Sequence, residues 1–236
     1  MNETPSCTCF SLTSTNHGRR VHYIHAEEQN TDCDAWKRLT DIVQQSVETG
    51  VEVLSLREHL SARELPQIVS LPNGIGQLKG LRKLDLYGSS LVRLPEEIGE
   101  LTNLEFLDTY TSYRLHWYPY ELARCPKLRD SRVSNRALYG NYKFRPPFPD
   151  LKSPRNAEAL WRVTPSTCSI CRAPLLDNQV ERRWISLRVA TDVLPLLVNA
   201  CSCGCLESLP EPAEKYVQYA HTGGVNFQQP EPSYTP

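Results

Sequence analysis

Residues 71–107 read LPNGIGQLKGLRKLDLYGSSLVRLPEEIGELTNLEFL and contain two nearly superimposable copies of one apolar spacing. Leu81 and Leu84 of one copy recur twenty-three residues later as Leu104 and Leu107. A period of about 20–29 residues is typical of repeat units that combine a short strand with a helical or extended return. Because one such unit cannot bury its apolar face alone, we expect neighbouring units to stack around one continuous core. The sequence therefore predicts an α/β fold with parallel strands, one from each unit.

The return of each unit carries a Leu-Pro pair or a relic of it, at 71–72, 94–95 and 118–119. The resulting pattern, LPxxIGxLxxLxxLxL, resembles the intracellular leucine-rich repeats of the Ras-group and plant intracellular type. This resemblance implies a short solenoid of about four repeats over residues 51–138. The asparagine that closes the turn after the strand in that family is replaced by His59, Ser89 and Ser112. Since a serine hydroxyl can also bond to the backbone, we expect looser turns rather than a different fold.

The repeats differ in regularity along the chain. The first begins at Val51 and carries extra residues around 61–67, which we expect in a loop because solenoids place insertions there. The second and third begin at Leu81 and Leu104. The fourth begins at Leu128 and has Ser131 and Val133 where leucines are expected. A degenerate unit of this kind is typical of the end of a stack.

Residues 31–50 are predicted to form a capping helix before the first repeat. Its apolar residues recur at three- and four-residue spacing, at Trp36, Leu39, Ile42, Val43 and Val47. Either Asp32 or Asp34 is expected to cap the start, and Gly50 is expected to end the helix in a left-handed conformation. Such a helix would cover the leucines exposed at the open end of the stack, with Trp36 as its largest anchor.

Three further segments lack a clear periodicity. Residues 1–30 are polar and are predicted to be a mobile tail, in which the Cys7/Cys9 pair is either incidental or half of a metal site. Residues 139–160 interleave aromatic residues with prolines and are predicted to be an extended linker, or alternatively a proline-rich ligand for a partner. Residues 211–236 are predicted to be mostly disordered, with an aromatic stretch at 216–224 that can fold back onto the cysteine-containing module at 161–210.

Residues 161–210 contain a second pattern, Cys168-Ser-Ile-Cys171 followed thirty residues later by a cluster of three cysteines at 201, 203 and 205. Four thiolates from two short loops suit tetrahedral zinc, and the second loop offers one cysteine too many. Its CSxxC form, in which Ser202 can cap a short helix, resembles the second half of a treble-clef zinc finger. That resemblance implies Cys168, Cys171, Cys201 and Cys205 as ligands and leaves Cys203 spare.

The residues between these two loops predict a hairpin. Ile185, Leu187 and Val189 alternate with polar residues, and a returning strand carries Leu196, Val198 and Ala200. Four thiolates close the coordination shell, so a Zn²⁺ ion here is expected to be structural rather than catalytic. The alternatives are an iron–sulfur cluster on the same ligands, a redox role for Cys203, and His221 as a further ligand.

Residues that alternate with the buried leucines are the candidate partner-binding surface. Leu84 and Leu86 point inward, so their neighbours face the other side of the sheet. Tyrosine and arginine are enriched among residues that carry binding energy, although an ordinary solvated sheet face is the alternative interpretation. The candidates are Lys83, Asp85, Tyr87, Phe106, Asp108, Tyr110 and Arg132.

Composition narrows the class of function. The net charge of −1 does not indicate a nucleic-acid or anionic-membrane partner, because such partners select positively charged proteins. No apolar run long enough to span a membrane and no secretory leader occur, so a cytoplasmic protein is expected, and its nine cysteines indicate metal ligands or free thiols. We find no phosphate loop, nucleophile elbow or HExxH helix, so we do not expect an enzyme.

The expected function is therefore that of an adaptor that binds a protein partner. The alternative is a zinc-dependent, nucleic-acid-associated regulator, supported locally by basic residues: Arg132, Arg136, Lys143, Arg145, Lys152 and Arg155.

Overall fold

The computed structural model describes residues 10–11, 21–162, 165–176 and 180–233. Over these ranges the chain is a mixed α/β structure in which three sheets are joined by few, short helices. The first sheet is an antiparallel pair, β1 (Phe10–Ser11) with β2 (Val21–His22). Cys7 and Cys9 lie outside the described residues. Within the described part of the chain, no helix combines the length and the apolar composition needed to cross a membrane.

The second sheet is parallel and takes one strand from each copy of the repeated spacing. Its strands are β3 (Val53–Ser55), β4 (Lys83–Asp85), β5 (Phe106–Thr109) and β7 (Asp130–Val133); β6 (Tyr118–Pro119) belongs to the third sheet. The register aligns Leu54 with Leu84 and Leu84 with Leu107, and all three are buried. Each such leucine contributes roughly 1.5–3 kcal/mol by burial. The predicted α/β fold with a parallel sheet is thereby confirmed.

A short 3₁₀ helix follows each Leu-Pro or Tyr-Pro pair, at Asn73–Gln77, Glu96–Glu100 and Tyr120–Arg124. Proline sets φ at a value that suits the residue just before a helix. These helices lie so close together that a Cβ atom on Gly99 would be 2.6 Å from the Glu121 carbonyl oxygen. The next unit has Ala123 at the equivalent position, and it is exposed. The row of packed returns therefore ends at this third helix.

The turns after the strands use the substituted serines as predicted. The Ser112 hydroxyl donates to the Leu86 carbonyl oxygen (2.9 Å) and accepts from the Ser89 amide (3.2 Å). The Ser89 and Ser112 hydroxyl oxygens are themselves 2.9 Å apart. His59 is exposed in the first repeat. Two successive turns are thus tied together by buried hydroxyl groups.

Helix α1 (Asp34–Thr49) precedes the sheet, and its buried face carries Ala35, Leu39 and Val43. Gly50 ends it at φ 65°, as expected for a left-handed residue. The prediction that Asp32 or Asp34 caps the start is wrong: Cys33 occupies the N-cap position and makes no capping hydrogen bond through its side chain. Helix α2 (Leu56–His59) is a single turn directly after β3.

The flanking segments pack more tightly than their composition predicts. Residues 21–30, expected within a mobile tail, include buried Ile24, whose amide donates to the Asn156 side chain (2.9 Å). The expected linker at 139–160 ends in helix α3 (Pro154–Trp161). Ser153 accepts a hydrogen bond from the Asn156 amide, and Pro154 suits the first helical position, so this start signal was present in the sequence.

The third sheet joins the C-terminal hairpin to the repeats. The hairpin consists of β8 (Glu181–Val189) and β9 (Asp192–Ala200), close to where the alternating residues predict it, and is followed by α4 (Cys203–Glu207). Strand β9 also pairs in parallel with β6, opposing Leu196 to Tyr118. Leu196 and Val198 belong to the same apolar cluster as the repeat leucines. The hairpin therefore extends the core of the repeats rather than forming a core of its own.

The described part of the expected disordered tail, residues 211–233, runs back across the hairpin. Trp184 and His221 exchange two backbone hydrogen bonds of 2.7 and 3.0 Å. Gly223 has φ 71°, and a Cβ atom there would meet the Pro149 carbonyl oxygen at 2.4 Å. The ring of Phe227 stacks on His221, with centroids 3.8 Å apart. The aromatic stretch at 216–224 indicated that this segment folds back, but its partners Trp184 and Pro149 could not be identified from local composition because they are far away in sequence.

Candidate functional site

The four cysteines singled out in the sequence, Cys168, Cys171, Cys201 and Cys205, lie together and could bind a metal ion. Their Sγ atoms are all within 4.8 Å of one another. The Cys171 and Cys201 sulfurs are 3.6 Å apart, as are those of Cys201 and Cys205. In a tetrahedral site with metal–sulfur bonds of about 2.3 Å, sulfurs are about 3.8 Å apart. The cluster therefore has the dimensions of a tetrathiolate metal centre.

Backbone geometry positions the sulfurs. The Cys168 sulfur accepts from the amides of Ile170 and Cys201, each at 3.4 Å, so it touches both cysteine loops. The first loop is fixed to β9 because the Ser169 amide donates to the Asn199 carbonyl oxygen (2.7 Å). Ser202 accepts from the Cys205 amide (3.3 Å) and so begins α4 where the sequence predicted a short helix.

Acid–base properties differ within the cluster. Burial opposes ionisation of Cys168, but backbone amide donors, among them those of Cys171, Ile170 and Cys201, lower its pKa to about 6. The neighbouring Cys171 and Cys205 sulfurs raise the pKa of Cys201 to about 12. Cys201 is thus held in its protonated form, and a bound cation would offset the repulsion among four thiolates.

Arg124 and Ser169 support the cluster and were not singled out in the sequence. The Arg124 guanidinium donates to the carbonyl oxygens of Cys168 (3.2 Å) and Ser169. Arg124 ends the third 3₁₀ helix, forty-four residues before Cys168, so no local spacing could have linked the two. Groups behind the ligands orient them and are part of a metal site.

The remaining candidates, Cys203 and His221, lie outside this cluster, as does the buried Cys125. Cys203 is exposed, and the ligand-like cluster does not include it. His221, considered as a further ligand, is buried against Phe148 and Phe227 instead. Cys125 is buried, which raises its pKa to about 12, and its thiol donates to the Ile98 carbonyl oxygen (3.3 Å). A thiol in that state is a poor nucleophile.

The candidate partner surface is only partly accessible. The register places Ser55, Asp85, Asp108 and Arg132 side by side across the four parallel strands. Asp108 is only 3% exposed: its carboxylate accepts from the Tyr110 amide (2.9 Å) and from Arg132 (3.1 Å). Asp85 accepts from the Tyr87 amide in the same way (3.1 Å). Asp108, one of the predicted contact residues, therefore holds the turn after its strand and offers little surface to a partner.

Aromatic rings and cations form a continuous band on the same face, which we call the aromatic–cation row: Arg57, Tyr87, Tyr110 and Arg132. Arg57 lies 5.0 Å over the Tyr87 ring and Arg132 lies 5.5 Å over that of Tyr110. The two tyrosine rings are 6.1 Å apart. Tyr110 is 44% exposed. Lys83 and Phe106 make a parallel pair at 5.5 Å.

No family model and no curated protein matches the chain. Among solved structures, the chain is similar to a leucine-rich repeat protein of Leptospira interrogans at 22% sequence identity and a TM-score of 0.26. The match covers 41% of this chain and 35% of that protein, so the chain corresponds to about a third of its length.

Proposed function

We propose that this chain is a short leucine-rich repeat arc that binds a protein partner on the open face of its parallel sheet. The observation that carries the proposal is the aromatic–cation row, in which Tyr87 and Tyr110 are held by flanking arginines. Pre-ordered rings lose little conformational freedom on binding, and Tyr and Arg are enriched among residues that dominate interface energies. Solenoids commonly bind partners on this surface.

The experiment is affinity capture from the native cell extract by the full chain, quantified by mass spectrometry. We expect the double variant Tyr87→Ala/Tyr110→Ala to lose the captured partner. Tyr219→Ala removes an equally large, exposed ring from the C-terminal segment and should retain it. If the double variant still captures the partner, or if Tyr219→Ala loses it, the interface does not lie on the sheet face.

We also propose that the four clustered cysteines hold one structural Zn²⁺ ion in a treble-clef-like arrangement. Support comes from the 3.6 Å sulfur separations, the two-loop ligand supply and the capped helix after the second loop. The seven described cysteines are free, which fits a cytoplasmic, reducing location. Zinc would hold the loops in place and would leave no open coordination position for catalysis.

Elemental analysis of the purified chain should give one zinc per molecule. Cys168→Ser with Cys201→Ser should release the metal, whereas Cys203→Ser should not, because that thiol lies outside the cluster. Metal retained by the double variant would contradict the ligand set. Iron in place of zinc would instead favour the cluster alternative.

We propose a non-catalytic role, in keeping with a closed thiolate shell. Three of the six basic residues on which the nucleic-acid alternative depends already have partners: Arg132 pairs with Asp108, Arg136 lies over Phe144, and Arg145 donates to backbone carbonyl oxygens. A salt series tests it, since phosphate contacts make affinity fall steeply with ionic strength. Absence of binding at low salt would eliminate that alternative.

A further inference from the structure

A cleft of about 310 Å³ lies on the return side of the repeats, away from the aromatic–cation row. Its floor is formed by the residues just before each Leu-Pro or Tyr-Pro pair, namely Ser70, Arg93 and Trp117. Leu160 of α3 and Leu197 of β9 cover it from the other side. The volume is at the lower end of the range for small-molecule sites, about 300–1,000 Å³.

Arg93 is the most unusual group in this cleft. It is 6% exposed, and its Nε atom has no hydrogen-bond partner among the described residues. Burial lowers the pKa of its guanidinium, and Glu27 and Glu28 only partly offset this through their charge. A buried guanidinium with an unpaired N–H group is costly, so the free protein has a hydrogen-bond donor here that an anionic group could satisfy.

Carboxylates also line the cleft. Glu121 is 2% exposed, and its polar neighbours among the described residues are the Ser169 hydroxyl and the Arg124 guanidinium, which is 3.9 Å away. Neither of its carboxylate oxygens accepts a well-aligned hydrogen bond from these described residues. Glu97 is half-buried, and burial raises the pKa of both carboxyl groups. The remaining charged side chains are already engaged: Glu96 accepts twice from Ser166, and Arg162 pairs with Glu28 and Glu158.

These groups exclude two simple ligands. A bare metal cation does not fit, because the carboxylate oxygens here do not converge: among the described residues, only the four cysteines form a metal-sized cluster. A polyanion does not fit either, because Glu96, Glu97 and Glu121 would repel it. A ligand that carries one negative and one positive group satisfies both the guanidinium and the carboxylates.

We propose that this cleft binds a small zwitterion of the α-amino-acid class with an apolar side chain. Its carboxylate takes a bidentate pair of hydrogen bonds from Arg93, the geometry that guanidinium groups favour. Its ammonium group faces Glu121 and Glu97. Its side chain lies against the apolar walls formed by Leu94, Trp117 and Leu197. The site is separate from the sheet face and from the cysteine cluster.

Isothermal titration calorimetry on the full, metal-loaded chain tests this proposal, with each proteinogenic amino acid as a probe at up to about 10 mM. We expect an apolar amino acid such as leucine to bind. Two analogues that each lack one charge, 4-methylpentanoate and 3-methylbutylamine, should bind at least about tenfold more weakly. Failure of every amino acid to bind, or equal binding of either analogue, would overturn the proposal.

Substitutions of Arg93 and Glu121 test which side chains bind the two charged groups of the ligand. Arg93→Gln and Glu121→Gln should each weaken leucine binding by at least about tenfold. Arg38→Gln, which removes an exposed guanidinium that is paired with Glu64 and lies outside the cleft, is the control and should bind within about threefold of the parent. Without ligand, Arg93→Gln should unfold at the same or a higher temperature, because an unpaired buried charge is removed. Unchanged affinity in Arg93→Gln, or an equal loss in Arg38→Gln, would refute this assignment.

Discussion

His116 is a titratable group placed where its charged form is unfavourable. It is 1% exposed, its Nδ1–H donates to the Ala137 carbonyl oxygen (2.6 Å), and its ring stacks on that of His25 at 5.3 Å. Burial lowers its pKa from 6.5 to about 4; the hydrogen bond to Ala137 opposes this, and nearby His25, His22 and Arg114 reinforce it. The folded protein therefore holds a neutral imidazole at pH values where the unfolded chain binds a proton.

This difference makes stability depend on pH. Between pH 6.5 and about 4 the unfolded state binds more protons, so stability falls as the pH is lowered, by about 2 kcal/mol between pH 7.5 and 5 for this one group. Urea unfolding at both pH values measures it. His116→Gln should lose this part of the dependence, whereas His59→Gln, at an exposed position, should retain it. An unchanged dependence in His116→Gln would mean that His116 binds its proton equally well in the folded and unfolded states.

The 3₁₀ helices of the returns pack through glycine. A Cβ atom on Gly99 or Gly76 would lie 2.6 or 2.8 Å from a backbone oxygen of the next return, whereas one on Gly74 would make an ordinary 3.5 Å contact with Val43. We therefore expect Gly99→Ala to destabilise the chain by about 1–3 kcal/mol in urea unfolding, because backbone would have to move. Gly74→Ala should change stability by less than about 1 kcal/mol. Equal effects of the two variants would contradict close packing of the returns.

The sequence predicted the elements that depend on a local pattern of residues, but not the features that depend on contacts between distant segments. The parallel strands could be predicted because leucines at one period must all face one core, and the hairpin because its residues alternate. The two short cysteine loops indicated a thiolate metal site, and the resemblance to a treble-clef finger implied which four of the five cysteines form it. Helix α3 was not predicted because it lies in a proline-rich segment, although Ser153 and Pro154 mark its start. The cleft could not be predicted, since its walls come from returns, helix and hairpin that no local pattern connects.

The core is continuous from α1 to the cysteine loops. Leu39 of the helix, the repeat leucines, Leu196 of the hairpin and Cys168 belong to one apolar cluster. Strand β6 of the third return pairs with β9, and Arg124 binds the backbone of the first cysteine loop. A second, aromatic cluster around Trp184 joins residues near both ends of the described chain, including Ile24 and Phe227. Disturbance at the cysteines should therefore reach the repeats.

Chelation of the proposed zinc tests this coupling. Structural zinc contributes on the order of 10 kcal/mol to folding, comparable with the whole stability of a typical domain. We expect a chelator to lower the unfolding temperature by about 10 °C or more in a single transition.

Tryptophan fluorescence, to which the contacting Trp117 and Trp184 contribute among four tryptophans, and far-ultraviolet circular dichroism, which includes the repeats, should shift together. Cys203→Ser should behave like the parent, and added zinc should reverse the shift. Two separate transitions, with the repeats unaffected by the chelator, would show that the cysteine loops fold independently, despite the β6–β9 pairing that joins them to the last return.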